Sequence, residues 1–339
     1  DNISWAEFRK MVGDSMEIPG KNGEGIATVV KHTGSHYVLS PLPHWSPFNA
    51  VLRGKLKLKG NNSTNPIAVG DRVEYEFENI QGEQIAAISK IFPRKNYIIR
   101  KSTNLSKQSH IIASNLDMVF LVVTIMFPEV KLPFVDRFLV TCEAYHIPVT
   151  ILVNKADLYT DEMAEANPLG VQLEHFTEIY TKAGYRVIPV SAHDGTNIDV
   201  VREMSRDKVV LFSGVSGVGK SSLINALDPS LELKTGAISA HHLQGRHTTT
   251  FYQMHPLAGG GFVVDTPGIR GFGLVDFTKD ELSTYFPDMV KVMDSCKFAP
   301  CTHTHEPGCA VKAAVEAGEI SPERYESYLG MLEEETKYR

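Results

Sequence analysis

Long apolar runs are missing from this chain of 339 residues: the longest, 118–127, spans about ten positions and holds a threonine, where a membrane-spanning helix needs about twenty. Cysteine is scarce, with four residues, too few for a disulfide scaffold of this length. Neither sign of charge prevails, since 34 basic residues face 40 acidic ones for a net charge of −6, which excludes a uniformly basic nucleic-acid binder. The opening DNISWAEFRK lacks a basic start followed by an apolar core, so no signal peptide is read there and a cytoplasmic protein is expected. What is present is ordinary for a globular protein, 42% hydrophobic and 22% charged, which excludes a disordered chain, a collagen-like repeat and a coiled-coil rod. The length suits two or three domains.

Charge is unevenly spread. Residues 1–105 carry a net +4, residues 106–280 a net −5 and residues 281–339 a net −5. Character changes near the same points, and the expected domains are 1–102, 103–280 and 281–339.

From about residue 20 to 100, short β-rich runs alternate with turns at Thr33-Gly34, Gly60-Asn61-Asn62, Val69-Gly70-Asp71 and Gln81-Gly82. About five strands at this spacing predict a small barrel, with the OB-fold favoured. In a strand over 53–59, Arg53, Lys55, Lys57 and Lys59 share one face and Leu56 and Leu58 the other. That basic face would match nucleic-acid phosphates, with His36, Tyr37, Trp45 and Phe48 as stacking surfaces. The same residues also read as a solvated strand face with ordinary core aromatics.

Residues 116–273 alternate apolar strands (DMVFLVVTIMF, VTILVNK, VIPVSA, VVLFSG, GFVVDTPG) with helical stretches. Nearly continuous apolar strands are those buried on both faces of a parallel sheet. Between the first two, Val135, Phe138, Leu139 and Cys142 recur at helical spacing, which makes Cys142 a core thiol. Residues 281–339 are acidic and mainly helical apart from a cysteine-rich loop, and so small a segment would profit from a metal.

Several motifs carry chemistry. The run Gly214, Val215, Ser216, Gly217, Val218, Gly219, Lys220, Ser221 fits G-x-x-x-x-G-K-[ST] after a strand and, with Ser222, opens a helix. Its glycines let backbone N–H groups face phosphate oxygens, Lys220 would reach the β- and γ-phosphates, and Ser221 would ligate Mg²⁺. Asn154, Lys155, Ala156 and Asp157 fit N-K-x-D at a strand end. A carboxylate at Asp157 accepts guanine N1–H and its exocyclic amine, neither of which adenine offers, and a site built on such bonds rejects the analogue strongly. Asn154 would buttress base and loop, the Lys155 stem would cover the ring, and Ser191-Ala192 after another strand would present a backbone N–H to guanine O6. Asp265-Thr-Pro-Gly268 fits D-x-x-G: Asp265 would hold Mg²⁺ through water and the Gly268 N–H would sense the γ-phosphate. Upstream, Gly245-Arg-His-Thr-Thr-Thr250 offers a hydroxyl for Mg²⁺, taken as Thr249, with Thr248 and Thr250 open.

The order of these motifs is that of a Ras-like domain cut at another bond, a circular permutation, and closely spaced termini make such cuts tolerable. The position after D-x-x-G is Ile269, which cannot orient water as the glutamine of Ras does. His247 is the best candidate for that task, with Arg246 a weaker one for charge stabilisation. Finally, Cys296-x₄-Cys301-x-His303-x₅-Cys309 forms a closed Cys₃His set, the pattern of structural zinc, with His305 as the rival fourth ligand.

Together these residues closely resemble the RsgA (YjeQ) family of circularly permuted bacterial GTPases, over nearly the whole chain. The G-R-H-T-T-T run at 245–250, D-T-P-G-I at 265–269 and the Cys/Cys/His/Cys spacing are the specific features. The resemblance implies an α/β fold: a permuted P-loop GTPase domain with an N-terminal OB-fold barrel and a small helical zinc-binding domain. It also implies GTP, Mg²⁺ and one zinc as ligands, His247 in place of the missing glutamine, and slow intrinsic GTPase activity stimulated by the small ribosomal subunit late in its assembly. The expected partners are that subunit and its rRNA, with no membrane, and the expected state is a monomer. The alternatives are a GTP-gated rRNA-binding scaffold whose hydrolysis is incidental, and a small-molecule kinase, which would leave N-K-x-D unexplained.

Overall fold

The computed structural model describes residues 25–32, 36–53, 67–100, 110–160, 168–231, 252–265 and 278–337. They fall into two compact units. One is drawn from 1–118, 201–212 and 227–273, the other from 119–200, 213–226 and 274–339.

The first unit holds a closed five-stranded barrel. Its strands are β1 (Gly25–His32), β2 (Tyr37–Ser40), β3 (Phe48–Leu52), β4 (Arg72–Ile80) and β5 (Glu83–Ile91). They pair in the order β1-β2-β3-β5-β4, and β4 returns to β1 through the register Gly25↔Tyr75 to Thr28↔Arg72. Only the β3–β5 pair is parallel. This closed ring is the expected OB-like barrel. Period-two alternation builds it: Val73, Tyr75 and Phe77 of β4 face the interior while Glu74, Glu76 and Glu78 take the other face. The barrel core gathers Val29, Leu39, Val73, Tyr75 and Ile88.

Two of the residues expected to offer stacking surfaces belong to that core instead. Tyr37 is 4% exposed, and Phe48 packs on Tyr75 and Phe77 with ring centroids 5.0 and 6.2 Å away. Trp45 stacks on Phe262 at 5.9 Å. Burial of their apolar rings outweighs exposure for a ligand, so the bland reading of these aromatics holds for Tyr37 and Phe48.

After the barrel, β6 (Tyr97–Arg100) and β7 (His110–Ser114) form an antiparallel ribbon. Asp71, fully buried, fastens it: its carboxylate accepts from Arg94 Nε and Nη2, each at 2.6 Å, and from Ser114 Oγ at 2.6 Å. Still in this unit, β11 (Val209–Ser213) runs parallel to β13 (Phe262–Asp265). β12 (Gln253–Pro256) lies antiparallel to β13 and touches β1 at Lys31↔Gln253.

The second unit contains the parallel strands β8 (Met118–Val123), β9 (Val149–Val153) and β10 (Arg186–Pro189), in the order β10-β9-β8. Val119 to Val122 and Ile151 to Val153 are wholly buried, as expected of strands covered on both faces. Helix α1 (Leu132–Ala144) connects β8 to β9 and α2 (Leu169–Lys182) connects β9 to β10; α3 (Ile198–Ser205) follows β10, and α4 (Lys220–Leu227) follows β11. Pro133 sits in the first turn of α1, where its missing N–H is no loss. The expected stripe Val135, Phe138, Leu139 and Cys142 is buried, and burial pushes the Cys142 thiol far above its ordinary value, as befits an inert core thiol.

The C-terminal segment, as expected, is helical around its cysteine loop: α5 (Lys279–Leu282), α6 (Pro287–Met293), α7 (Ala310–Glu316) and α8 (Pro322–Lys337). Leu282, Phe286, Met289, Val311, Tyr328 and Met331 share a core with Val140 of α1. At its centre Arg324, fully buried, grips Asp288 through Nε at 3.2 Å and Nη2 at 3.0 Å, and Asp136 of α1 through Nη1 at 3.0 Å. Its guanidinium also lies over the Phe286 ring, 4.5 Å from the centroid.

Removing one member of a buried ionic group leaves uncompensated charge, which costs about 3–5 kcal/mol. Arg324→Met should therefore lower stability against urea by about that much. A change under about 1 kcal/mol would mean that the two carboxylates are not held by this side chain.

Candidate functional site

The phosphate-binding motif begins where β11 ends. Gly214 must be glycine because a Cβ there would come within 2.4 Å of Val122 O. Val218 is buried at 1% and pins the loop, while Val215, Ser216 and Gly217 form its exposed apex. Gly217 and Gly219 take the left-handed conformation, φ +87° and +90°, which curls the backbone ahead of α4. Lys220 opens that helix with its Nζ folded over the loop, donating to Gly214 O and, at 3.4 Å, to Val215 O. Burial lowers the Lys220 pKa below its ordinary value. Ser221 is half-buried and Ser222 exposed on the first turn of α4.

The N-K-x-D residues meet this loop directly. Asn154 follows β9 and is buried at 3%. Its Nδ2 donates to Val218 O at 2.8 Å, across 64 positions of sequence. That approach needs Gly219, where a Cβ would lie 2.5 Å from Asn154 Nδ2. Lys155, in the left-handed conformation at φ +63°, sends Nζ to Gly217 O at 3.0 Å and to Phe127 O. The next residues close a short 3₁₀ turn, Ala156–Leu158. Asp157 Oδ1 accepts from Ser191 Oγ at 2.8 Å, and the Ala192 N–H reaches Asn154 Oδ1 at 3.4 Å. Asn154, Lys155, Asp157, Ser191, Ala192 and residues 214–221 are thus brought together.

Tyr159 escaped the sequence reading. Its hydroxyl donates to Asn154 O at 2.7 Å and accepts from Ile125 N at 2.9 Å. A tyrosine two places beyond Asp157 carries no pattern of its own; only the 3₁₀ turn brings it back under the motif.

Of the remaining expected residues, Asp265 closes β13 opposite Gln253. His247, Thr249 and Gly268 lie outside the described residues, as do Arg246, Thr248 and Thr250.

A second cluster lies in the C-terminal segment. The donor atoms of Cys296, Cys301, His303 and Cys309 are all within 4.8 Å of one another. His303 Nδ1 is 3.6 Å from Cys296 Sγ and 3.4 Å from Cys309 Sγ. Metal–sulfur and metal–nitrogen bonds of about 2.3 and 2.0 Å at a tetrahedral angle put such pairs about 3.5 Å apart, so the spacing fits one ion. Ala310 N and Lys312 N point at Cys296 Sγ and Cys309 Sγ, at 3.3 and 3.5 Å, the amide support that thiolate ligands draw on. Burial holds the His303 imidazole below its ordinary pKa, in the neutral form that ligates. His305 is exposed and turned to Thr304 Oγ1 at 3.0 Å, apart from the cluster.

Comparison with known proteins bears on all of this. The sequence model of the family described as RsgA GTPase matches residues 91–275. A Bacteroides fragilis protein called small ribosomal subunit biogenesis GTPase RsgA is 50% identical, over 92% of this chain and 98% of its own. The chain belongs to the RsgA GTPase family. A Flavobacterium johnsoniae member of the same name is 48% identical over 92% of this chain and 94% of its own. Among solved structures, YjeQ from Thermotoga maritima is similar with a TM-score of 0.74 at 32% identity, over 92% of this chain and 98% of that one. YloQ, described as a circularly permuted GTPase, gives 0.70 at 27%, over 94% and 96%. The permuted order read from the motifs is thus the family's own, and family membership supports GTP hydrolysis. No helix among the described residues is long and apolar enough to cross a membrane.

The metal cluster yields a direct prediction. The protein should carry one divalent ion per chain, lost with His303→Ala and kept with His305→Ala, as measured by elemental analysis. Because thiolates and neutral imidazole are the ligating forms, the ion should be released as pH falls.

Proposed function

We propose that this protein is a GTPase of small-ribosomal-subunit maturation. It binds the subunit late in assembly, hydrolyses GTP to GDP and phosphate at a phosphoric anhydride bond when the subunit stimulates it, and leaves as turnover proceeds. The observation that carries this reading is the pair of bonds from Asn154 and Lys155 to Val218 and Gly217, which join a guanine-reading motif to a phosphate-binding loop in one place. The names borne by its relatives supply the partner.

In this reading Asp157 pairs with the guanine edge, Ser191 orients that carboxylate, and the Ala192 N–H lies near the base. Backbone N–H groups of residues 214–219 cradle the phosphates, and Lys220 stabilises charge developing on the β- and γ-oxygens. Ser221 and Thr249, with Asp265 through water, would hold Mg²⁺, which supplies further neutralisation of phosphate charge. Gly268 senses the γ-phosphate. His247 orients or deprotonates the attacking water, since Ile269 cannot. Zinc at Cys296, Cys301, His303 and Cys309 is architectural, because four protein ligands leave no open position.

The three parts divide the work. Residues 1–102 and 281–339 grip rRNA, and residues 103–280 time the grip through the nucleotide. The protein works as a cytoplasmic monomer.

The test is GTP turnover with purified small and large subunits added separately. Small subunits should accelerate it strongly and large subunits should not. His247→Ala should remove about 10²-fold or more of the stimulated rate, the range of a lost general base. Equal stimulation by both subunits would sink the assigned partner, and an unchanged stimulated rate in the variant would sink the histidine.

A further inference from the structure

Tyr159 occupies a position from which it can set how well the site reads its base. Its side chain is 7% exposed, and burial pushes its phenol up to about 12, so the hydroxyl is neutral and keeps its proton for donation. That proton goes to Asn154 O at 2.7 Å, while the oxygen accepts the Ile125 N–H at 2.9 Å. One hydroxyl therefore bridges two segments, the N-K-x-D loop and the turn that follows β8.

That turn matters because it also receives Lys155. Within it, Thr124 Oγ1 donates to Pro128 O at 2.5 Å and Val130 N donates to Ile125 O at 3.3 Å. Phe127 O then stands ready for Lys155 Nζ, which reaches Gly217 O as well. Holding Ile125 thus holds the carbonyl on which Lys155 leans, and holding Asn154 O fixes the residue whose amide reaches the phosphate loop. The ring arrives there because the Ala156–Leu158 turn reverses the chain, with Tyr159 N donating to Ala156 O at 3.2 Å. Asp157, the residue read as the base-pairing carboxylate, is carried on that same turn.

We infer that Tyr159 is a positioning residue for guanine selection, acting through Asn154 and Lys155 without touching the nucleotide. The inference rests on the reading of Asn154–Asp157 as the base reader. Removal of the hydroxyl leaves a buried carbonyl and a buried N–H without this partner, and the loop relaxes to find others. Base recognition should suffer more than recognition of the phosphate chain, because residues 214–220 keep the contacts of Lys220 with Gly214 and Val215 and lose only the support that Asn154 and Lys155 lend them.

The experiment compares the full-length protein with Tyr159→Phe, which keeps the ring and its packing. Affinities are measured for GDP, for inosine diphosphate, which lacks the exocyclic amine, and for tripolyphosphate, which has no base. In Tyr159→Phe, GDP should bind about tenfold more weakly. Its advantage over inosine diphosphate should shrink, and tripolyphosphate affinity should fall by less than GDP affinity does. The melting point of the variant is recorded alongside to separate unfolding from misplacement. Equal weakening of GDP and tripolyphosphate, or unchanged GDP affinity and selectivity, would overturn the inference. Asp157→Asn tests the underlying reading separately: it should move preference from GDP to xanthosine diphosphate, and a protein that still preferred GDP would remove the base reader itself.

Discussion

Asn154 spends every polar group it has on holding three segments in place. Its backbone N–H donates to Val123 O at 2.8 Å, its carbonyl accepts from Tyr159, its Oδ1 receives the Ala192 N–H and its Nδ2 donates to Val218 O. The last bond is possible only because residue 219 has no Cβ. Since a buried amide that loses a partner costs about 1–3 kcal/mol, the loop cannot drift from the end of β9 without penalty. In a permuted chain this has a particular meaning. The two motifs are not successive turns of one continuous strand–helix unit, so the pocket depends on side-chain stitches between sequence-distant segments, and Asn154 supplies the central one.

The C-terminal segment depends on a stitch of the same kind. Its core is completed by Val140 of α1. Arg324 and Asp136 add a directional bond to that apolar contact, and Asp136 also accepts from Tyr180 Oη at 3.0 Å and from Ser327 Oγ. A buried ion pair is a poor source of net stability, because desolvation offsets the attraction. Its geometry ties α8 to α1 and α6 at once, because one guanidinium reaches both Asp136 and Asp288. A metal ion held by Cys296, Cys301, His303 and Cys309 would fix the loop between α6 and α7 by independent means, constraining the segment at both its apolar base and its cysteine tip.

Much of this was legible in advance because glycine, asparagine and cysteine at fixed spacings have few physical uses. Gly214, Gly219 and Asn154 are constrained by backbone approach, and the four metal-cluster residues by donor chemistry. The barrel was legible through short β-rich runs set apart by turns at regular spacing. Tyr159 and Asp136 were not. Each lies just off a recognised pattern, Tyr159 two places past a motif and Asp136 beside the apolar stripe of α1, and each is explained only by a partner from elsewhere in the chain. For Tyr37 and Phe48 the sequence leaves surface and core open, because aromatic rings suit stacking and burial alike and a single strand's sequence does not say which of its faces closes the barrel.

The charge on the barrel illustrates the same point at the level of function. Counted along its own strand, Arg53 begins a basic face. Counted across strands it does not, because its Nη1 and Nε pair with Glu76 at 3.0 Å and Glu78 at 2.8 Å on β4. Lys90 stands in register with Glu74 on the same wall. At half-exposed sites such pairs contribute little to stability, yet they cancel the local field that would draw a phosphate. With Glu74, Glu76, Glu78 and Glu83 against Arg53 and Lys90, this face of the β4–β5 wall carries no net positive charge, and any grip on rRNA by the N-terminal part must come from Lys55, Lys57 and Lys59, which lie outside the described residues, or from another face. A strand's charge acquires meaning for a polyanionic partner only after its cross-strand neighbours are counted.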